Sequence, residues 1–171
     1  MVRAEHVIDS WKSVRQDTVA AVEEFPADEY GYRPVADLQS FGEIARHILV
    51  ASHALTGMLL AGEADLTVPD FRARVAAHAG NVPEKLDRAE LARRLSESVE
   101  ERATQLAAQA PEFWAATLKR VDGVVVTRLE MLQWVKEHEL THRQQLFMYL
   151  RMKGIVPATT RRRLARQAGR K

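Results

Sequence analysis

Three times along this chain an oxygen-bearing side chain is followed three positions later by Glu, with an apolar stripe beginning at once: Ser40 with Glu43, Asp87 with Glu90, and Thr127 with Glu130. The cap oxygen takes a backbone N–H of the first turn, and the Glu reaches back to the N–H of the cap. Two donors that a helix start leaves orphaned are thereby satisfied. This device commits most of the chain to long helices. After Ser40 the stripe Phe41, Ile44, Ile48, Ala51, Leu55, Met58 predicts a helix of about twenty residues ending near Gly62. After Asp87, Leu91, Leu95, Val99 and Leu106 predict a helix running to Ala110 and stopped by Pro111. After Thr127, Met131, Val135, Leu146 and Leu150 predict the longest helix, closed by Gly154 and then Pro157.

A fourth amphipathic helix comes first in the chain, with Val7, Trp11, Val14, Thr18, Val22 and Phe25 on one face and Pro26 just past its end. The linker from Glu63 to Pro83 contains a short helix around Phe71 to His78, and Leu118 to Val126 reads as a small hairpin with a two-residue turn at Asp122-Gly123. Four long amphipathic helices joined by long connections predict an all-α fold, a four-helix bundle with long crossovers. At 171 residues and 46% hydrophobic content, one domain over residues 1–157 has room for a continuous core, and 158–171 forms a basic tail.

The charge is unevenly placed. From Thr160 onward TRRRLARQAGRK carries six basic residues and no acidic one, leaving 19 basic against 23 acidic residues in the body, a net of −4. The tail reads as a solvated, frayed terminus, and a nucleic-acid role ranks last because the interleaved aromatics and basic face it needs are missing. No window approaches the roughly 20 apolar residues of a membrane span, and the start MVRAEHVIDSW is acidic where a signal peptide is apolar, so no membrane is involved and the expected location is cytoplasmic. Cysteine is absent, which excludes disulfides, thiolate metal sites and a cysteine nucleophile. Chemistry must use imidazole, carboxylate, hydroxyl or a bound cofactor.

The last long helix contains His138-Glu139-Leu140-Thr141-His142. Residues four apart on a helix lie about 40° from one another, one turn apart, so both imidazoles reach one ion. Both also continue the stripe Met131, Val135, His138, His142, Leu146, Tyr149, where an ordinary bundle carries Leu. Paired polar rings in a core are costly unless partnered, and a metal partners both at once. On spacing alone a fortuitous pair stays open. His47, at the edge of the second helix's buried stripe, offers a third imidazole from a facing helix. Three histidines leave coordination positions open for water or substrate, as in a catalytic site. His53 sits about 240° round from His47 and does not reach the same ion, while His6 and His78 read as surface residues.

Taken together, Tyr32-Arg33-Pro34, Ser40-Phe41-Gly42-Glu43-Ile44, His47-Ile48, His138-x-x-x-His142-Arg143-x-Gln145 and Tyr149-Leu150-Arg151-x-x-Gly154-x-x-Pro157 resemble the DinB/YfiT-like superfamily. The resemblance covers most of the chain. It implies a four-helix bundle with a long crossover, often homodimeric, that binds zinc, nickel or a similar divalent ion through His47, His138 and His142. It also implies a small-molecule substrate and a low-molecular-weight thiol, since members of known activity are transferases and isomerases using mycothiol, bacillithiol or glutathione. Gln144 stands where the family commonly has Gly, a larger side chain expected to narrow the approach to the metal.

The leading expectation is a metal-dependent enzyme that activates a small-molecule thiol or water. The alternatives are a non-enzymatic, stress-related metal or ligand binder, and a metallohydrolase in which Glu139 of the HExxH-like run is the general base. The other reading of Glu139 is a carboxylate that orients a ligand histidine or meets an Arg from another helix. Arg143 and Gln145 are candidates for substrate contact or for supporting a ligand, and Tyr149 for a phenol at the pocket rim.

Overall fold

The computed structural model describes residues 3–169. Four long helices form the bundle: α1 (Ala4–Glu24), α2 (Phe41–Leu60), α4 (Arg88–Ala107) and α6 (Arg128–Met152). α1 and α2 lie diagonally opposite, each packed against both α4 and α6. The chain therefore crosses a diagonal twice, through residues 25–40 and again through 108–127, which gives the long-crossover topology that the sequence predicts. The short helix α3 (Phe71–Ala79) packs on α2 from outside. Among the described residues, no helix is long and apolar enough to cross a membrane.

The caps form as their residue types dictate. Ser40 and Thr127 each accept from the N–H of the Glu three residues on, and that Glu closes the box on the cap's own N–H. At Asp87 only the first half forms, because the Glu90 carboxylate is taken by Arg93 and Arg94. All predicted stripe residues of α1, α4 and α6 except the two histidines are buried, and so are those of α2 apart from half-buried Ala51. Each large side chain removed from water in this way contributes about 1.5–3 kcal/mol before entropy is counted.

Three local expectations are corrected. α4 ends at Ala107 rather than Ala110, and Pro111, at the first position of a helix where its missing N–H is harmless, opens the short helix α5 (Pro111–Ala115). The hairpin of β1 (Thr117–Lys119) and β2 (Val125–Thr127) closes through three residues: Gly123 N–H donates to Arg120 O, and Gly123 takes the left-handed conformation at φ 84°. This is a turn followed by a glycine bulge, not a two-residue turn. Beyond Pro157, residues Ala158–Ala168 form a helix, α7, held on α1 by ion pairs of Arg161 with Glu24 and Arg162 with Asp17. The tail is thus folded back as far as it is described; its last two residues lie outside the described range.

The apolar core has two parts. One gathers Val7, Ile8 and Trp11 with Leu55, Met58, Val99, Leu106 and Met131; the other gathers Val22 and Phe25 with Phe41, Ile44, Leu91, Leu146 and Leu150. Between them, half-way along the bundle, runs a layer of polar side chains: Arg15 and Thr18 of α1, Ser52 of α2, Ser98 of α4 and Glu139 of α6. The histidines lie at the edge of that layer.

Candidate metal centre

His47 reaches the site from α2, and His138 and His142 reach it from α6 one turn apart. The capping box at Ser40 sets where α2 starts, and with it the helical phase of His47. Nε2 of His138 lies 3.2 Å from Nε2 of His47 and 3.2 Å from Nε2 of His142. A tetrahedral ion with metal–nitrogen bonds of about 2.0–2.1 Å separates its nitrogens by about 3.3–3.4 Å. Three imidazoles that turn the same nitrogen toward one point at this spacing fit such an ion, and the residues brought together are the three that the sequence singled out.

Electrostatics and tautomer both favour bare nitrogens here. Burial, then the neighbouring His142 and His47, pushes the His138 pKa down to about 4, and burial with His142 lowers that of His47. Both rings are neutral at pH 7. His142 places Nδ1 2.8 Å from Oε1 of Gln145, an acceptor, so Nδ1 carries the proton and Nε2 keeps its lone pair for the cluster. Trp134, one turn before His138, stacks on its ring at 5.8 Å and is covered in turn by the Arg120 guanidinium of the hairpin. That shields one side of the site from water.

The remaining expected site residues fall into place differently. Gln145 bonds His142, as above. Arg143 pairs with Asp17 at 3.2 Å and lies over Phe147, so it joins α6 to α1 and makes no approach to the histidines in this arrangement. Tyr149 donates its hydroxyl to Gln39 O at 2.9 Å and holds the first crossover against α6. Gln144 is exposed and, at about 100° per residue, lies about 160° round the helix from His142, so it does not narrow the approach. His53 meets Arg102 on α4 at 2.9 Å, away from the cluster, as expected.

Glu139 requires the main correction. His138 and His142 are half-buried at the margin of α6, and it is Glu139 that points to the centre of the bundle, fully buried. Its Oε1 accepts from Arg15 Nε at 2.6 Å and Thr18 Oγ1 at 3.0 Å; its Oε2 accepts from Trp11 Nε1 at 2.8 Å and Arg15 Nη2 at 2.8 Å. A carboxylate with four donors and a guanidinium against it has no lone pair free for a water proton, and the general-base role does not fit this placement. Of the two readings of Glu139, the structure realises the Arg from another helix. Sequence reasoning missed Arg15 and Trp134. Arg15 follows Trp11 by four on the buried stripe of α1, and Trp134 precedes His138 by four, so both had a positional signal, though not one that names a partner.

His47 also lines an open groove of about 860 Å³ between the start of α2, the first crossover and the loop before α4. Arg33, Arg46 and Lys85 stand along it beside Glu43 and Glu84. Arg46 donates to the carbonyls of Val82 and Pro83, and Arg33 pairs with Glu43, so the walls are braced by their own charges. Gly42 allows the crossover to close at this point: its N–H donates to Tyr30 O at 2.9 Å, and a side chain there would meet that oxygen at 3.2 Å.

The fold is similar to those of known proteins. The curated protein YjoA of Bacillus subtilis (strain 168), described as uncharacterized, is 25% identical over 154 residues, which is 90% of this chain and 93% of YjoA. Its crystal structure superposes with a TM-score of 0.68 at 22% identity over 87% of this chain and 92% of that one. A putative DinB-family member from Exiguobacterium sibiricum 255-15 gives 0.65 at 21% identity over 90% and 94%. The mycothiol-dependent maleylpyruvate isomerase gives 0.64 at 14% identity, covering 85% of this chain and 61% of the isomerase, a likeness of fold. The DinB family model matches residues 1–170, nearly the whole length, and this chain belongs to the DinB family.

Proposed function

We propose that this protein is a metal-dependent enzyme that activates a small-molecule thiol for transfer to, or isomerisation of, a substrate bound in the groove beside His47. The observation that carries the reading is the convergence of three imidazole nitrogens, two of their separations being 3.2 Å, with no carboxylate or thiolate among them. His47, His138 and His142 hold a divalent ion, and an all-imidazole set suits zinc or nickel. When bound, such an ion supplies Lewis acidity, lowering the pKa of a thiol or water so that it is ionised near neutral pH.

The chain's own residues do the rest. Gln145 keeps His142 in the ligating tautomer, Trp134 excludes water from one side of His138, and the groove admits the substrate past His47. Two further considerations favour a thiol over a water nucleophile. Glu139 is locked to Arg15, so the carboxylate base of an HExxH hydrolase is unavailable. The chain has no cysteine, so the thiol comes from a small molecule, as in the mycothiol-dependent isomerase that shares the fold.

The test combines elemental analysis of purified protein with assays of thiol transfer from mycothiol, bacillithiol and glutathione to an electrophilic acceptor. Stoichiometric metal that is lost in His47→Ala, His138→Ala and His142→Ala, with helicity retained, is the expected result. Peptide hydrolysis without thiol transfer overturns the choice of nucleophile. Tight metal binding with neither activity points to a non-enzymatic binding protein.

A further inference from the structure

The polar layer that divides the core is centred on one guanidinium. Arg15 is 1% exposed, and each of its five N–H donors is used: Nε and one Nη2 hydrogen on Glu139, the other Nη2 hydrogen on Ser52 Oγ, and the two Nη1 hydrogens on Leu95 O and Ser98 Oγ. Side chains or backbone of all four bundle helices meet at this group.

The position of the two Nη2 bonds matters most. At 2.7 Å to Ser52 and 2.8 Å to Glu139, one nitrogen ties α2 to α6, the two helices that carry the histidines. Ser52 follows His47 by five residues, and Glu139 stands between His138 and His142. A slide or rotation of either helix that separates His47 from His138 also pulls one of these bonds out of range. Apolar packing at this level supplies no such directional restraint.

Energetics argue that stability alone does not account for the arrangement. A buried ion pair is a weak source of folding free energy, and replacing one by well-packed apolar residues is often neutral or stabilising. The feature that apolar residues do not reproduce is a fixed register between elements.

We propose that Arg15, with Glu139 and Ser52, is a positioning clamp for the metal centre: by bridging α2 and α6 through a single nitrogen it holds the three histidine Nε2 atoms at ligating distance. The clamp rests on the reading of His47, His138 and His142 as a metal site. It acts through the helices and touches neither metal nor substrate.

The test uses the full-length apo-protein, Zn²⁺ as probe in competition with a chromophoric chelator, and urea unfolding in parallel. The double variant Arg15→Met/Glu139→Leu replaces the pair by apolar residues. It is expected to unfold at or above the wild-type midpoint and yet bind Zn²⁺ about ten- to a hundredfold more weakly, the loss seen when the supports of metal ligands are removed. Ser52→Ala keeps the ion pair and removes only the bond to α2; a smaller loss in the same direction is expected with the fold intact. Wild-type affinity in both variants overturns the clamp and leaves the metal site standing. If the double variant does not fold, Ser52→Ala decides alone, and unchanged affinity there overturns the proposal. A wild-type protein that binds no Zn²⁺ overturns the reading of the site and the clamp with it.

Discussion

His142 donates its Nδ1–H to the side-chain oxygen of Gln145 at 2.8 Å, within the same stretch of α6. The bond decides which nitrogen of the ring faces His47 and His138. Gln145→Leu frees the ring to adopt the other tautomer and orientation, and metal affinity is expected to fall about ten- to a hundredfold. Gln145 is exposed, so helicity and thermal stability should stay at wild-type values. Gln145→Glu, whose carboxylate also accepts from Nδ1, is expected to bind metal at least as tightly as wild type. Chelator competition on the three proteins checks the order.

Removing only the cation of the central pair has a different signature from replacing both partners. Arg15→Ala leaves Glu139 as a buried carboxylate with its guanidinium gone. Breaking a buried pair in this way is expected to destabilise the protein by about 3–5 kcal/mol, measured as a lower urea midpoint at an unchanged slope. A loss below about 1 kcal/mol, the range of exposed pairs, would mean that water reaches the carboxylate.

The sequence carries the bundle because each long helix is marked twice, by a cap or terminator and by a stripe of three-four spacing, and both marks are local. The site is legible for a related reason: His138 and His142 are joined by one turn of helix, and His47 lies at the edge of a stripe whose facing partner is another stripe. Arg15 and Glu139 were not legible as a pair. The sequence allows Glu139 an Arg from another helix without naming it, and only the meeting of α1 with α6 shows that Arg15 shares the interior with it. The centre of the buried face of α6 accordingly falls on Glu139, about 100° from His138 and about 60° from His142, a shift that an apolar count does not detect. α7 escaped because its apolar content is low: none of its residues is buried, and its contacts with α1 are ionic.

Those ionic contacts set the expected outcome of truncation. Deleting residues from Thr160 onward removes Arg161 from Glu24 and Arg162 from Asp17, while Asp17 keeps Arg143. Pairs with an exposed partner contribute about 0–1 kcal/mol each, so the truncated chain should unfold at a slightly lower urea concentration, with metal content and helicity unchanged. The difference should shrink in about 1 M salt, where screening acts over about 3 Å. Loss of metal or of cooperative unfolding would make α7 part of the domain.

The last prediction concerns acid. In the metal-free protein the His138 pKa is depressed from the ordinary 6.5 to about 4, chiefly by burial, then by His142 and His47, and that of His47 is depressed by burial and His142. The unfolded chain returns both rings to their ordinary value, so between about pH 6.5 and 4 it binds more protons than the folded chain, and unfolding free energy rises with pH across that window. Stability present in full above about pH 6.5 is therefore lost on acidification toward the folded pKa. His53, depressed by burial beside Arg102, acts in the same direction, as do paired carboxylates at the lower end, so wild type alone cannot isolate the site. The informative quantity is a difference: the fall in melting temperature from pH 7 to 4.5 should be shallower in His138→Gln than in wild type. Excess Zn²⁺ should shift the wild-type fall to lower pH, because an ion on neutral imidazoles competes with their protonation and stabilises only the folded chain. Equal slopes in the two proteins without metal would show that His138 is not held neutral in the fold, and would remove one of the two supports for bare nitrogens at this site.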